Sequence, residues 1–187
     1  MKIAAVLLAA GRSERFADGD KLAAPLGGLS LGLHAARTLA ALPLSGHIVV
    51  TGPRGMAWPD VTVVPNDRRD AGMARSIALG VAAARRTDID AVLIALADMP
   101  FVSVEHLERL IACYRGPDTL VASSDGVIRM PPALFGAAWF DTLETLSGDR
   151  GARAMLEQAE IVLADPAELH DVDRVADLEA ARGRFQG

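Results

Sequence analysis

Three basic side chains follow the first apolar run of the chain, beside a glycine and two alanines. Arg12, Arg15 and Lys21 lie within ten positions in a protein that is acidic overall. Gly11 and the small residues before it allow a ligand to approach the backbone closely. Backbone N–H groups of such a loop can hold phosphate oxygens, and clustered cations neutralise the charge of a triphosphate. The spacing therefore predicts a phosphate-binding loop, with a solvated basic turn as the alternative.

A carboxylate with the properties of a metal ligand follows a later apolar run. Ala91 to Leu96 reads as a buried strand, and Asp98 comes just after it, ahead of Pro100. Open α/β sheets place their ligands at the carboxyl ends of their strands. Mg²⁺ is held by one or two carboxylates together with substrate phosphates. Asp98 is therefore predicted to hold a metal at a nucleotide, with a helix cap as the alternative reading.

Composition and missing motifs exclude several functions. The formal net charge of −5 argues against binding to bulk nucleic acid. The single cysteine, Cys113, allows no internal disulfide and reads as a buried helix residue, which suits a cytoplasmic protein. Neither G-x-x-x-x-G-K-[ST] nor G-x-G-x-x-G occurs around Gly11, so a P-loop protein and a dinucleotide-dependent dehydrogenase are both set aside.

Short apolar runs alternate with helical patterns, as expected of βαβ units and a mainly parallel sheet. No linker or repeat is visible, so residues 1–187 are predicted to form one domain. The apolar start of the chain reads as a strand and not as a signal peptide, and no run is long enough to span a membrane. The first half is predicted to contain these elements: strands 3–8, 47–51, 61–64 and 91–96, and helices 29–42, 72–86 and one capped by Ser103.

The second half of the chain is less regular. Strands are predicted at 119–122 and 127–130 around a turn at Ser124-Asp125-Gly126. Helices are predicted at Leu134 to Leu146 and at Asp149 to Gln158. A strand at Ile161 to Leu163 and a helix from about Val175 complete the pattern.

The loop motif resembles that of a known family. Leu8-Ala9-Ala10-Gly11-x-Ser13-x-Arg15-Phe16, followed by Lys21-Leu22, is similar to the L-A-A-G-x-S-x-R-[MF]-G…K-L signature of nucleotidyltransferases related to molybdenum cofactor cytidylyl- and guanylyltransferases. In this chain Ala17-Asp18-Gly19-Asp20 replaces the glycine that usually follows the aromatic residue or methionine. The resemblance implies that residues 8–11, Arg12, Ser13, Arg15 and Lys21 bind the nucleotide, and that Arg15 and Lys21 also act in catalysis.

Four further blocks extend the resemblance from about Ala4 to Leu178. Asn66 and Gly72-Met73-x-x-Ser76 are similar to the family's nucleoside-binding stretch, although the residues alone favour a role in core packing. Ala97-Asp98-Met99-Pro100 resembles [LG]-G-D-[MQ]-P. The segment that contains Gly148-Asp149 and the acceptor-side residues Arg150 and Arg153 resembles the cytidylyltransferase branch.

The fifth block, Asp171-Val172-Asp173, resembles D-[IV]-D, with Arg174 in the place of the usual threonine. In an extended D-x-D the two side chains point to opposite faces, so one can reach a metal while the other caps a helix. We assign the metal to Asp171 and the cap to Asp173, and we read His170 as a surface residue.

The resemblance implies a three-layer α/β/α sandwich with a mainly parallel, mixed sheet, like that of the nucleotide-diphospho-sugar transferases. It implies Mg²⁺ and transfer of CMP from CTP to a molybdopterin-type cofactor, with a molybdoenzyme or its chaperone as the recipient of the product. Guanylyl transfer and transfer to a sugar or polyol phosphate are the alternatives. A nucleotide-binding protein without activity is the alternative of another class; retention of Lys21, Asp98 and Asp171 together argues against it.

Overall fold

Seven strands form the main sheet in a computed structural model, which describes residues 1–11, 16, 20–53, 56–147 and 153–185. In chain order they are β1 Ile3–Ala9, β4 Gly46–Thr51, β5 Thr62–Pro65, β6 Ala91–Leu96, β7 Leu120–Ser124, β8 Arg129–Gly136 and β9 Glu160–Leu163. Two short strands, β2 Pro25–Leu26 and β3 Leu29–Ser30, form a separate hairpin.

The sheet is mostly parallel, and its strand order is β5-β4-β1-β6-β8-β7-β9. β1 lies between β4 and β6 and is parallel to both. All its residues are buried and apolar, as expected of a parallel strand that is covered on both faces. β8 is antiparallel to both β6 and β7. The mixed sheet that was predicted is confirmed.

Helices cover both faces of the sheet. They are α1 Leu31–Ala40, α2 Gly72–Ala84, α3 Val104–Ala112, α4 Phe140–Thr145 and α5 Val175–Arg184, and residues 153–156 are also helical. Alternate side chains of β1 enter two different cores. Ile3, Ala5 and Leu7 pack in a core with residues of α1, α3 and α5, whereas Ala4, Val6 and Leu8 pack in a core with residues of α2 and α4. The predicted three-layer sandwich is thus confirmed.

The predicted helix from Leu134 to Leu146 is wrong at its start. Leu134 to Gly136 belong to β8, where Leu134 lies between Leu93 of β6 and Val121 of β7. This part of β8 is buried on both faces, so its apolar residues do not alternate with polar ones. A short continuous apolar run does not distinguish a buried strand from a buried helix. The helix begins only at Phe140, after a 3₁₀ turn at Ala137–Trp139.

The predicted helix at 29–42 also begins later than expected, because Leu29 and Ser30 pair with the strand before them. The turn between these strands has φ of 53° at Gly27 and 85° at Gly28, a backbone region that favours glycine. The hairpin directly follows the 3₁₀ helix Lys21–Ala23. It therefore connects the lysine of the predicted phosphate loop to helix α1.

A buried histidine connects α3 to the antiparallel part of the sheet. Arg109 Nη2 lies 3.1 Å from His106 Nδ1, and because arginine only donates, Nδ1 accepts. His106 Nε2 then carries the proton and donates to Ser123 Oγ at 2.7 Å, and Ser123 donates to the carbonyl of Pro132. Burial, and then the charge of Arg109, lower the pKa of His106, which keeps its ring neutral.

No helix in the described ranges is both long enough and apolar enough to cross a bilayer.

Candidate active site

The carboxyl ends of β1 and β6 place the loop that contains Gly11 beside Asp98. Leu8 is in register with Leu96, and the backbone N–H of Ala97 donates to the carbonyl of Leu8 at 3.1 Å. Asp98 therefore lies next to the backbone that leaves β1. Leu8, Ala9 and Ala10 are buried, whereas Gly11 is exposed, and a Cβ built on it would meet no heavy atom within 4 Å. The backbone at Gly11 thus has room for a ligand to approach.

Lys21 contacts two carboxylates from distant parts of the chain. Its Nζ lies 2.8 Å from Asp98 Oδ2 and 2.9 Å from Asp173 Oδ1, and the lysine side chain is only 9% exposed. The 3₁₀ turn that carries Lys21 is capped by Asp20, whose Oδ1 accepts from the N–H of Leu22. Burial alone would lower the pKa of Lys21, but Asp98 and Asp173 outweigh it and raise the pKa. The lysine is therefore a cation held between two anions.

The segment that carries Asp171 and Asp173 is joined to Asp98 through the backbone. The N–H of Val172 donates to the carbonyl of Asp98 at 2.9 Å. Burial, followed by the charges of Asp173 and Asp98, raises the pKa of Asp171. The structure thus places Asp171 close enough to Asp98 for the charge of Asp98 to act on its carboxyl group.

The carboxylates of Asp98 and Asp171 fit a divalent cation held jointly with phosphates. Burial first, and then the charges of Asp173 and Asp98, disfavour the Asp171 carboxylate, so a cation beside it would stabilise its charged form. Within the described ranges, no group of three or more His, Cys, Asp or Glu side chains is arranged to hold a metal ion. A metal held by Asp98 and Asp171 would take its remaining ligands from substrate phosphates and water.

The prediction that Asp173 caps the last helix is wrong. The N-cap residue of α5 is Arg174, and the carboxylate that accepts backbone N–H groups belongs to Asp177. Asp177 Oδ2 accepts from the N–H groups of Asp173 at 3.0 Å and Arg174 at 2.7 Å. An acidic residue at the third helical position is a known capping signal, and reading it here would have identified Asp177. The carboxylate of Asp173 contacts Lys21 instead.

The predicted nucleoside-side residues Asn66 and Ser76 hydrogen-bond to each other. Asn66 is fully buried, and its Nδ2 donates to Ser76 Oγ at 2.9 Å, while its Oδ1 accepts from the N–H of Arg68. The pair joins the end of β5 to the first turns of α2. Gly72, with φ of 76°, forms the entry to that helix. Their part in nucleotide binding stays a prediction, but their structural role is visible.

Several predicted site residues lie outside the described residues: Arg12, Ser13, Arg15 and Arg150, together with Gly148 and Asp149. Arg153 is described and is exposed at the start of the helical residues 153–156. Its proposed contact with an acceptor stays a prediction. The site as described therefore consists of the backbone at Ala9 to Gly11, Lys21, Asp98, and the Asp171–Asp173 segment.

The fold and this site define a class of protein. A mostly parallel sheet presents a small-residue loop, a buried cation and several carboxylates at the carboxyl ends of its central strands. Such an arrangement suits the binding of a nucleoside triphosphate with a metal ion. The class is that of the nucleotidyltransferases.

The chain belongs to the MobA-like NTP transferase domain family, whose sequence pattern matches residues 5–163. Two characterised relatives match almost the full length. The purine catabolism protein PucB of Bacillus subtilis (strain 168) is 31% identical over 95% of this chain and 94% of the relative. The nicotine blue oxidoreductase of Paenarthrobacter nicotinovorans is 29% identical over 92% of this chain and 93% of the relative.

Solved structures agree with this assignment. A nucleotidyl transferase from Methanothermobacter thermautotroptrophicus superposes with a TM-score of 0.83 at 28% identity, covering 99% of this chain and 98% of the other. Rv0371C of Mycobacterium tuberculosis H37Rv, solved as a complex with manganese, superposes with a TM-score of 0.78 at 22% identity, covering 98% of this chain and 99% of the other. At 22% identity, the similarity to Rv0371C shows a shared fold and nothing further.

Proposed function

We propose that this nucleotidyltransferase moves CMP from CTP to the phosphate of a molybdopterin-type cofactor and releases pyrophosphate, with Mg²⁺ as its metal ion. The observation that carries the proposal is the contact of Lys21 with Asp98 and Asp173 beside the backbone of Ala9 to Gly11. A cation and a pair of carboxylates at one position match the needs of a metal–triphosphate complex.

In this reaction an oxygen of the acceptor phosphate forms a bond to the α-phosphorus of CTP, and the bond between the α-phosphorus and the bridging oxygen breaks. Lys21 stabilises the charge that grows on the departing pyrophosphate. The backbone at Ala9 to Gly11 orients the base and the phosphates. No general base is needed, because a phosphate oxygen is already nucleophilic.

Asp98 and Asp171 are the residues that would hold the metal. Mg²⁺ would supply neutralisation of the phosphate charge at these carboxylates. A divalent metal is supported by the carboxylate cluster and by the manganese complex of Rv0371C, a protein of the same fold.

CTP is favoured over GTP by the resemblance of the Gly148-Asp149 block to the cytidylyltransferase branch. A cytosine edge also suits a compact pocket of backbone groups, whereas guanine needs an acceptor for its N1 and N2 donors. A pocket that pairs hydrogen-bonding groups rejects the wrong base strongly, and we expect a preference of at least about tenfold in kcat/KM.

The test measures pyrophosphate release with CTP, GTP, ATP and UTP, each with the molybdenum cofactor and with sugar and polyol phosphates as acceptors. The Asp98→Asn variant serves as the control for contaminating activity. We expect release with CTP and the molybdenum cofactor. A preference for GTP would replace cytidylyl by guanylyl transfer, and a preference for a sugar or polyol phosphate would replace the acceptor. Tight nucleotide binding without any release would indicate a binding protein.

If Arg153 meets the acceptor, Arg153→Ala should raise the KM for the acceptor and leave the KM for CTP unchanged. An equal rise in both would remove Arg153 from the acceptor site.

A further inference from the structure

The charged site residues come from three separate segments, and helix α5 contacts all three. At its start, Asp177 accepts hydrogen bonds from the backbone of Asp173 and Arg174. In its middle, Leu178 and Ala181 are buried in the core. Near its end, Arg182 Nε and Nη2 each lie 3.3 Å from the carbonyl of Pro25, in the hairpin that follows Lys21. The helix is thus attached to both the Lys21 segment and the Asp173 segment.

Phe185 extends these contacts to the Asp98 segment. Its ring stacks on Phe101, with ring centroids 5.6 Å apart and an interplanar angle of 28°. Phe101 follows Asp98 by three residues, and Arg184 Cζ lies 3.6 Å from the centroid of the Phe101 ring. Arg184 and Phe185, at the end of α5, therefore pack against the loop that carries Asp98.

The Phe185 ring also packs against the hairpin. Its centroid lies 4.7 Å from that of His34, whose Nε2 hydrogen-bonds to the carbonyl of Leu26. A Cβ built on Gly27 would lie 2.5 Å from Phe185 Cδ1, so the ring rests directly on the backbone of the turn. Phe185 is 41% exposed, which is high for an aromatic ring with three packing partners.

We infer that Phe185 is a positioning residue, whose ring, in contact with both the Gly27 turn and Phe101, sets the spacing between Lys21 and Asp98. The expected effect of Phe185 on turnover rests on the proposed function. Its effect on the position of Lys21 relative to Asp98 does not. Reactions that depend on placed charges are sensitive to small displacements, and a shift of about 1 Å can cost on the order of a hundredfold in rate.

The chain offers a direct probe of the geometry, because Lys2 and Lys21 are its two lysines. Lys2 is at the surface, where its side chain is 58% exposed and paired with the exposed Asp88, whereas that of Lys21 is 9% exposed and paired with Asp98 and Asp173. Brief acetylation with acetic anhydride, quantified by mass spectrometry, gives the ratio of Lys21 to Lys2 labelling. If the hairpin moves in Phe185→Ala, Lys21 becomes more accessible to the reagent and the ratio of Lys21 to Lys2 labelling rises.

A matched control is Trp139→Ala. Trp139 is another partly exposed aromatic residue, and it lies after the carboxyl end of β8, at the sheet edge opposite Asp98. Its truncation removes a packed ring without touching the hairpin. Phe185→Tyr retains the ring and should behave as the wild type in both labelling and turnover. Phe185→Leu replaces Phe185→Ala if the alanine variant fails to fold.

For turnover we expect Phe185→Ala to lower kcat by about tenfold with a smaller change in KM, since a positioning defect acts mainly on the transition state. Trp139→Ala should leave kcat and the labelling ratio unchanged. In the double variant Lys21→Met/Phe185→Ala, kcat should equal that of Lys21→Met alone, because Phe185 acts through Lys21.

Two results would overturn the inference. One is an unchanged labelling ratio in Phe185→Ala. The other is a double variant in which the fold decrease of kcat equals the product of the fold decreases in the two single variants. The labelling needs no nucleotide. If the wild type released no pyrophosphate with any substrate while Phe185→Ala raised the labelling ratio, the proposed function would fail and the control of Lys21 geometry by Phe185 would stand.

Discussion

Lys21 Nζ and Asp98 Oδ2 lie 2.8 Å apart, so the cation predicted to bind phosphate and the anion predicted to bind metal neutralise each other. In the proposed complex of metal and nucleotide, Lys21 would contact the phosphates and Asp98 would contact the metal ion. Asp173 also contacts this ammonium, at 2.9 Å. This exchange of ionic partners determines what the variants below should do.

Replacing Asp98 by asparagine should abolish turnover. The substitution keeps the size and the backbone contacts of the residue but removes the charge that holds the metal at the phosphates. Thermal unfolding should change little, because Lys21 keeps Asp173 as its partner. Pyrophosphate release at increasing Mg²⁺ tests this. A variant that retained most of its rate at saturating Mg²⁺ would remove Asp98 from the metal site.

Replacing Lys21 by alanine should lower kcat more than it weakens nucleotide binding. The lysine is expected to act where charge develops on the leaving pyrophosphate, so its interaction strengthens in the transition state. Steady-state kinetics, with CTP affinity measured separately by calorimetry, distinguish the two effects. A rise in KM with an unchanged kcat would show instead that Lys21 contributes equally to binding the substrate and the transition state.

Replacing Lys21 by methionine should tighten the binding of Mn²⁺ in the absence of nucleotide, even though kcat falls. In the proposed site the ammonium competes with the metal ion for Asp98, and its removal leaves the carboxylates of Asp98, Asp171 and Asp173 without that cation, which a divalent metal would replace. Electron paramagnetic resonance of free Mn²⁺ measures the affinity. Weaker Mn²⁺ binding by Lys21→Met than by the wild type would contradict this competition, and Lys21→Arg is the charge-retaining control.

His106 should make the protein less stable in mild acid. Its pKa is lowered in the folded protein by burial and by Arg109, against a smaller opposing effect of Glu168. The unfolded chain therefore takes up the proton first as the pH falls. The stabilisation is complete above the unfolded value of about 6.5 and declines as the pH falls below it, with a slope of up to about 1.4 kcal/mol per pH unit.

Urea unfolding between pH 7.5 and 5 measures this effect. His106→Gln does not titrate, so its free energy of unfolding should depend less on pH over this range than that of the wild type. His34→Gln, at a hydrogen-bonded but less buried histidine, is the comparison variant. If wild type and His106→Gln showed the same pH dependence, His106 would not be the group responsible.

The parallel half of the fold could be predicted from sequence because its signals are local. Ala91 to Leu96 is an unbroken apolar run of strand length that ends two residues before Asp98, and the structure has these same bounds. The Ser103 cap is also confirmed, with Ser103 Oγ accepting from the N–H of His106 at 3.1 Å. In both cases the residues that decide the structure are neighbours in the chain.

The features that could not be predicted depend on distant partners. Leu134 joins a strand because β6 and β7 accept it on both sides, and nothing within its own segment specifies that pairing. Nothing near Asp173 in the sequence shows that its carboxylate contacts Lys21, which lies 152 residues earlier in the chain. The contacts of Phe185 with Gly27 and Phe101 likewise join segments whose proximity only the folded chain reveals.

The ion pairs of Lys21 also have a consequence for biosynthesis. Asp98 follows Lys21 by 77 residues, and Asp173 follows it by 152. A ribosome delivers the chain from its N-terminus, so Lys21 can meet Asp98 long before Asp173 has been made. A nascent chain that ends before Asp173 cannot place the second carboxylate on the lysine. The charged centre can therefore be completed only after Asp173 itself has been synthesised.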